Sequence, residues 1–145
     1  MVCLGNICRS PLAEGILQSK VDHLQFGWEV DSCGTSGFHN GELPDSRSIE
    51  VAQNHQIDIT SQRSRKLQTQ DLAEFDLILA MDSSNYADII KLAQNEEQRS
   101  KVHLILNFLY PGQNRAVPDP YYEGGFESVF EMINQACDQI VAKYS

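Results

Sequence analysis

The chain has 145 residues, 41% of them hydrophobic and 21% charged, with a formal net charge of −9. That balance suits one globular domain, residues 1–145, with a real core, and it excludes a nucleic-acid binder, which needs a basic face. No run approaches the roughly 20 apolar residues of a membrane helix and no secretory leader is visible, so a soluble, cytoplasmic protein with no membrane partner is expected.

Only Met1 and Val2 precede Cys3. The first strand is therefore expected to be a stub, or to be continued by apolar residues upstream. Cys3-Leu4-Gly5-Asn6-Ile7-Cys8-Arg9-Ser10-Pro11 has the form C-x5-R-S-P. Gly5 tolerates positive φ without strain, and Asn better than most residues. A loop turning that way aims successive N–H groups into one concavity, which binds anions. Pro11 is favoured at the first helical position, with Ser10 as the N-cap. The helix then points its positive end at the same concavity. Arg9 adds a planar fork that matches two oxygens of a phosphate. A guanidinium and a helix N-terminus favour a thiolate, the nucleophilic form of Cys3.

Leu12, Ala13, Ile16, Leu17, Val21 and Leu24 predict a helix over about 11–25, ended by Gly27. Residues 28–33 alternate loosely and read as a strand. Residues 34–41 are a loop on composition. A short helix is predicted from Pro44-Asp45 to about Asn54, then a polar stretch over 56–66 anchored by Ile57 and Ile59. Thr69–Leu72 reads as a one-turn helix start. Phe75–Met81 reads as a buried strand, with Leu77, Ile78, Leu79 and Ala80 running continuously, as in a parallel strand covered on both faces. A helix follows over 83–93, a solvated charged turn over 95–101, and a last strand over 102–106. Residues 107–125 read mostly as loop. The closing helix carries Phe126, Val129, Phe130, Ile133, Cys137, Ile140, Val141 and Tyr144 on one stripe, so Cys137 is core packing. Alternating strands and helices imply an α/β three-layer sandwich, a parallel sheet with helices on both faces. Cys3 and the loop before Asp119 then share the carboxyl edge of the strands, where such sheets bind ligands.

Four cysteines and four histidines occur. No C-x-x-C pair exists and the histidines are scattered singly, so neither a metal nor a cofactor is expected.

Cys3–Pro11 resembles the signature loop of the low-molecular-weight protein tyrosine phosphatases. Asp119-Pro120-Tyr121-Tyr122 is similar to that family's acid loop, and Phe75–Asp82 and Ser32–Asp45 also resemble family segments. The resemblance covers nearly the whole chain. It implies a four-stranded parallel sheet in the order 2-1-3-4 and the hydrolysis of phosphotyrosine in proteins, with inorganic phosphate as product. Cys3 would be the nucleophile that forms a phosphocysteine. The loop N–H groups of Leu4, Gly5, Asn6, Ile7, Cys8 and Arg9, with the Arg9 guanidinium, would hold the phosphoryl oxygens. Asp119 would be the general acid and Ser10 would hydrogen-bond Cys3. Asn6, Ser32 and Gln62 would brace the loop, although the family often has His near Gln62. Phe38, Tyr121 and Tyr122 would line the cleft, and Glu123 could help hold the proton on Asp119. Cys8 lies five residues from Cys3 across a curved loop, so peroxide is expected to join the two sulfurs.

Arsenate reductase shares this loop but needs two further cysteines downstream, and residues 76–95 contain none. A phosphoarginine branch of the family has a small Thr where this chain has Ile7, which favours phosphotyrosine. A non-catalytic phosphate-binding module would not require Cys3, Arg9 and Asp119 together. A cysteine hydrolase lacks a histidine with an assignable role. A monomer is expected.

Overall fold

The computed structural model describes residues 1–145. Four strands, β1 (Val2–Cys3), β2 (Cys33–Gly34), β3 (Ile78–Ala80) and β4 (Val102–Leu104), form one sheet in the order 2-1-3-4. All pairings are parallel, with Val2 opposite Cys33 and Ala80, and Ile78 opposite Val102. The expected topology and order are those observed.

Helices cover both faces. α1 (Arg9–His23), α2 (Ser46–Asn54) and α7 (Phe126–Tyr144) pack on one another over one face. α3 (Thr69–Glu74) and α4 (Ser83–Leu92) lie on the other, and α5 (Glu96–Ser100) packs beside β4. β3 shows why its run is apolar throughout. Leu79 joins the core under α1 and α7, while Ile78 and Ala80 join Leu72 and Ile89 on the opposite side. Successive side chains of a strand face opposite layers, and here both layers are dry. The stripe on α7 is buried as its spacing requires, with Ile133, Cys137 and Ile140 fully inaccessible. Burying an isoleucine this way contributes about 1.5–3 kcal/mol. No helix is long and apolar enough to cross a membrane.

Several boundaries differ from the sequence reading. α1 begins at Arg9, with Cys8 as an N-cap that supplies no side-chain bond, so Pro11 is its third residue and not its first. Ser10 cannot serve as the cap because its hydroxyl is engaged with Cys3 and Asn6. The strand expected over 28–33 is reduced to Cys33–Gly34. β1 is two residues long and offers partners only to Cys33 and Gly34, so residues 28–32 have no ladder to join. The stretch read as a charged turn over 95–101 contains the short helix α5, which Asn95 caps by accepting from Gln98 N–H. The loop 107–125 contains a one-turn helix, α6 (Pro120–Glu123), capped by Asp119.

The larger hollow of the molecule, about 740 Å³, lies at the amino end of the strands, between residues 28–32 and Leu77–Leu79. No residue of the Cys3–Pro11 stretch lines it. The chemistry-bearing residues gather at the opposite, carboxyl end.

Candidate active site

The loop between β1 and α1 is held by its carbonyls. Those of Cys3 and Leu4 accept from Thr35 and Ser36 N–H, each at 2.9 Å, and that of Ile7 accepts from Asp45 N–H at 2.8 Å. Gly5 carbonyl accepts from Ser64 Oγ at 3.1 Å, and Cys8 carbonyl from Ser48 Oγ at 3.2 Å. In a trans peptide the N–H points opposite to the carbonyl. Turning five carbonyls outward therefore turns the following N–H groups inward. Of these, the N–H groups of Leu4, Gly5 and Cys8 donate to no protein acceptor, and that of Asn6 donates to Cys3 Sγ at 3.3 Å; the Ile7 N–H, which follows Asn6, is likewise without a protein acceptor. This is a nest for an anion with a sulfur at its centre.

Asn6, not Gly5, takes the left-handed conformation, at φ 55°. Its amide explains the choice. Nδ2 donates to Ser10 Oγ at 2.7 Å and to Ser32 Oγ at 2.9 Å, and Oδ1 accepts from Arg65 N–H at 3.1 Å. Glycine could not make these bonds. At Gly5 a Cβ would lie 3.1 Å from His39 Cδ2, so the partly exposed His39 ring would have to give by a few tenths of an ångström. Ser10 Oγ sits 3.1 Å from Cys3 Sγ and shares a hydrogen bond with it. Ser32 in turn donates to Glu14 Oε1 at 2.7 Å. Burial pushes the Glu14 carboxyl above the usual carboxylate range, with the Ser32 bond opposing. Gln62 braces the start of α1, donating to Pro11 carbonyl at 3.0 Å, and does not reach the loop itself.

Arg9 is nearly enclosed, its side chain 4% exposed. Nη1 donates to Asp82 Oδ2 at 2.8 Å and to Val117 carbonyl at 3.0 Å. The Nε–Nη2 edge makes no hydrogen bond within the protein and is free for an oxyanion. Asp82 is a site residue that the sequence reading does not single out. It caps α4 through Asn85 N–H at 2.8 Å, and the only sequence signal is an Asp placed just beyond the carboxyl end of a strand.

Val117 brings the loop that carries Asp119 in. Its N–H donates to Met81 carbonyl at 2.8 Å, extending the carboxyl end of β3. Two residues on, Asp119 Oδ2 stands 3.6 Å from Arg9 Nη2, and Oδ1 accepts from Tyr121 N–H at 3.1 Å. The Asp119 side chain is 40% exposed, open to the cleft. Glu123 is exposed and makes no bond or ion pair with Asp119, so the structure does not support it as a proton-holding partner.

Cys3, Ile7, Cys8, Arg9, Phe38, Asp119, Tyr121 and Tyr122 line one cleft of about 460 Å³. Phe38 is 90% exposed and Tyr122 87%, so neither is tucked onto the core. The rings of Tyr121 and Tyr122 meet edge to face at 4.9 Å between centroids. An apolar rim of this kind suits a flat aromatic group above the oxyanion nest. Cys8 is buried beneath, and burial, followed by the charge of Asp45, pushes its thiol up to about 12. All four cysteines are free. The cluster best able to hold a metal, His55 with Glu127 and Glu131, is exposed and does not line the cleft. His55 there pairs with Glu127 at 2.6 Å and stacks on Phe130.

The model of the low molecular weight phosphotyrosine protein phosphatase family matches residues 1–144. A phosphatase of that description from Schizosaccharomyces pombe is 44% identical over 126 residues, covering 85% of this chain and 80% of its own. The crystal structure of a protein tyrosine phosphatase from Entamoeba histolytica superposes with a TM-score of 0.91 at 34% identity, over 98% of this chain and 92% of its own. That of the Drosophila arginine phosphatase gives a TM-score of 0.92 at 30% identity, over 99% and 95%. With the family model matched over residues 1–144 and relatives of that description aligned over most of both chains, this chain belongs to the low molecular weight phosphotyrosine protein phosphatase family, a family of hydrolases.

Proposed function

We propose that the chain hydrolyses phosphotyrosine in proteins by two transfers through Cys3. In the first, the Cys3 thiolate attacks phosphorus. The S–P bond forms, the P–O bond to the phenol breaks, and Asp119 gives its proton to the departing oxygen. The inward N–H groups of residues 4–9 and the free edge of Arg9 hold the equatorial oxygens as charge builds on them. In the second, water attacks the phosphocysteine and returns a proton to Asp119. Sulfur leaves with the Ser10 hydroxyl donating to it, and inorganic phosphate is released.

One observation carries this mechanism: the Cys3 sulfur, the donor nest, Arg9 and the Asp119 carboxylate all open into one cleft. Asn6 and Ser32 brace the loop directly, and Gln62 does so at one remove, through Pro11. The test is turnover of phosphotyrosyl, phosphoseryl and phosphoarginyl peptides, with arsenate plus thiol alongside. Phosphotyrosine should be the best substrate, and Cys3→Ser should abolish turnover while still binding phosphate or vanadate. Substantial turnover by Cys3→Ser would overturn the mechanism. Preference for phosphoarginine would move the chain to the activity named for its Drosophila neighbour. Ile7, partly exposed on the cleft wall, speaks for the flatter phenol.

We also read the enzyme as a cytoplasmic monomer whose thiols are redox-sensitive. Peroxide would convert Cys3 to a sulfenic acid. Attack by the Cys8 sulfur would then form the Cys3–Cys8 bond and release water. A Cys8 thiol held this far up is mostly protonated near neutral pH, so the bridge should form slowly and be reversed by dithiol. Mass spectrometry after peroxide should find it. Sulfonic acid at Cys3 alone would contradict it.

A further inference from the structure

Asp119 sits at the start of a four-residue helix on a long loop, α6, which is too short to hold its own position. Val117 ties the loop on its approach, and the Arg9–Asp119 contact is long, at 3.6 Å. The far side of Asp119 is held by Arg47, from the first turn of α2. Arg47 Nη1 donates to Tyr121 carbonyl at 3.1 Å. Its guanidinium lies over the Phe126 ring at 4.6 Å and the Tyr121 ring at 5.5 Å. The fork is fixed in turn by Asp45, with Nε on Oδ1 at 3.0 Å and Nη2 on Oδ2 at 2.9 Å.

That arginine is anchored to the phosphate loop. Asp45 N–H donates to Ile7 carbonyl at 2.8 Å, and Ser48 Oγ donates to Cys8 carbonyl at 3.2 Å. A continuous chain therefore runs from Ile7 through Asp45 and Arg47 to Tyr121, whose N–H bonds Asp119 Oδ1. Both polar groups of the Tyr121 backbone are used, one facing the acid and one facing the strap.

We propose that Arg47 is a positioning residue for the general acid: it registers the Asp119 turn against the phosphate loop, so that the proton donor stands over the leaving oxygen. The proposal rests on Asp119 as general acid. Arg47 is exposed and lines no part of the cleft, so its removal should spare the fold and the anion site. A general acid contributes roughly 10²–10⁴-fold, and a misplacement of about 1 Å can cost about 10²-fold. With Val117 and Arg9 still in place, Arg47→Ala should forfeit part of that, roughly tenfold.

The test compares kcat/KM for phenyl phosphate with that for dinitrophenyl phosphate, whose phenolate leaves without a proton. Wild type, Arg47→Ala, Asp119→Ala and the double variant are measured, with the inhibition constant for inorganic phosphate as the check on the anion site. In Arg47→Ala the ratio of the activated to the unactivated substrate should rise about tenfold, with phosphate inhibition unchanged. In Asp119→Ala it should rise further, and adding Arg47→Ala should change it no more, because both act through one proton. An unchanged ratio in Arg47→Ala, equal loss on both substrates, or full additivity in the double variant would overturn the proposal while leaving Asp119 as the acid. An unchanged ratio in Asp119→Ala would overturn both.

Discussion

Gly34 is where the sheet presses on the loop that follows Cys3. A Cβ there would lie 2.7 Å from Leu4 carbonyl oxygen, and 3.1 Å from both Asn6 N and Gly5 carbonyl carbon. All three atoms are backbone, so no side chain can swing aside. Nor can Gly34 retreat, because its N–H donates to Arg65 carbonyl at 2.9 Å and its carbonyl accepts from Leu67 N–H at 2.8 Å. Gly34→Ala must therefore push Leu4 carbonyl oxygen away by roughly 0.7 Å to reach ordinary contact distance. Overpacking of this kind costs about 1–3 kcal/mol, a drop in Tm of roughly 3–10 °C for a chain of this size. The displaced atoms belong to the two peptide groups that carry the Gly5 and Asn6 N–H groups, which face the sulfur side of the loop. If 1 Å costs about 10²-fold, a shift of this size should cost roughly 10–30-fold in kcat/KM. The assay pairs a thermal melt with kcat/KM for a phosphotyrosyl peptide and the inhibition constant for phosphate. Gly27→Ala is the control, since a Cβ there meets nothing within 4 Å. Gly34→Ala with wild-type kcat/KM and wild-type phosphate inhibition would refute the claim that this contact shapes the nest.

Asp82→Asn keeps an oxygen to cap α4 but removes the charge facing Arg9. A hydrogen bond between charged groups is worth about 1.5–3 kcal/mol, so kcat/KM should fall roughly 10–100-fold with phosphate inhibition weakened in parallel; wild-type kinetics would show that Arg9 needs no such anchor. Glu14 is raised by burial, so its charged form costs stability above the ordinary carboxylate range and that cost vanishes as pH falls below it. Glu14→Gln, which still accepts from Ser32, should therefore melt higher than wild type at neutral pH, with the gap closing on acidification; a gap that does not change with pH would contradict this. Apolar residues added ahead of Met1 should raise Tm, since they could enter the hollow beside Ile78 and Leu79; an equal Tm would show that the two-residue β1 suffices.

The sequence disclosed the site where its physics is local. Cys3, Arg9 and Ser10 fall within one turn of backbone, and the stretch from Cys3 to Pro11 is legible as an oxyanion loop from residue types alone. Asp119 is different: V-P-D-P reads as an ordinary turn, and its place in the site came only from family resemblance. The supports were not legible, because each is a long-range meeting. Asp82 reaches Arg9 across 73 residues, Ser64 reaches Gly5 across 59, Ser48 reaches Cys8 across 40 and Arg47 reaches Tyr121 across 74. No periodicity encodes such pairings. The left-handed residue was open to error for a related reason. Backbone preference alone points to Gly5, and only the three partners of the Asn6 amide, from Ser10, Ser32 and Arg65, make Asn6 the better choice. The strand over 28–33 failed because alternation describes a face, whereas a ladder needs a neighbour of equal length.

The measurement closest to the centre of the mechanism is direct capture of the covalent state. The enzyme is mixed with excess phosphotyrosyl peptide, quenched in acid within milliseconds, digested and read by mass spectrometry. The peptide containing Cys3 should carry one phosphoryl group, absent before mixing and absent in Cys3→Ser. Full turnover with no phosphoryl group on the chain, or with the group on any residue other than Cys3, would contradict a phosphocysteine mechanism.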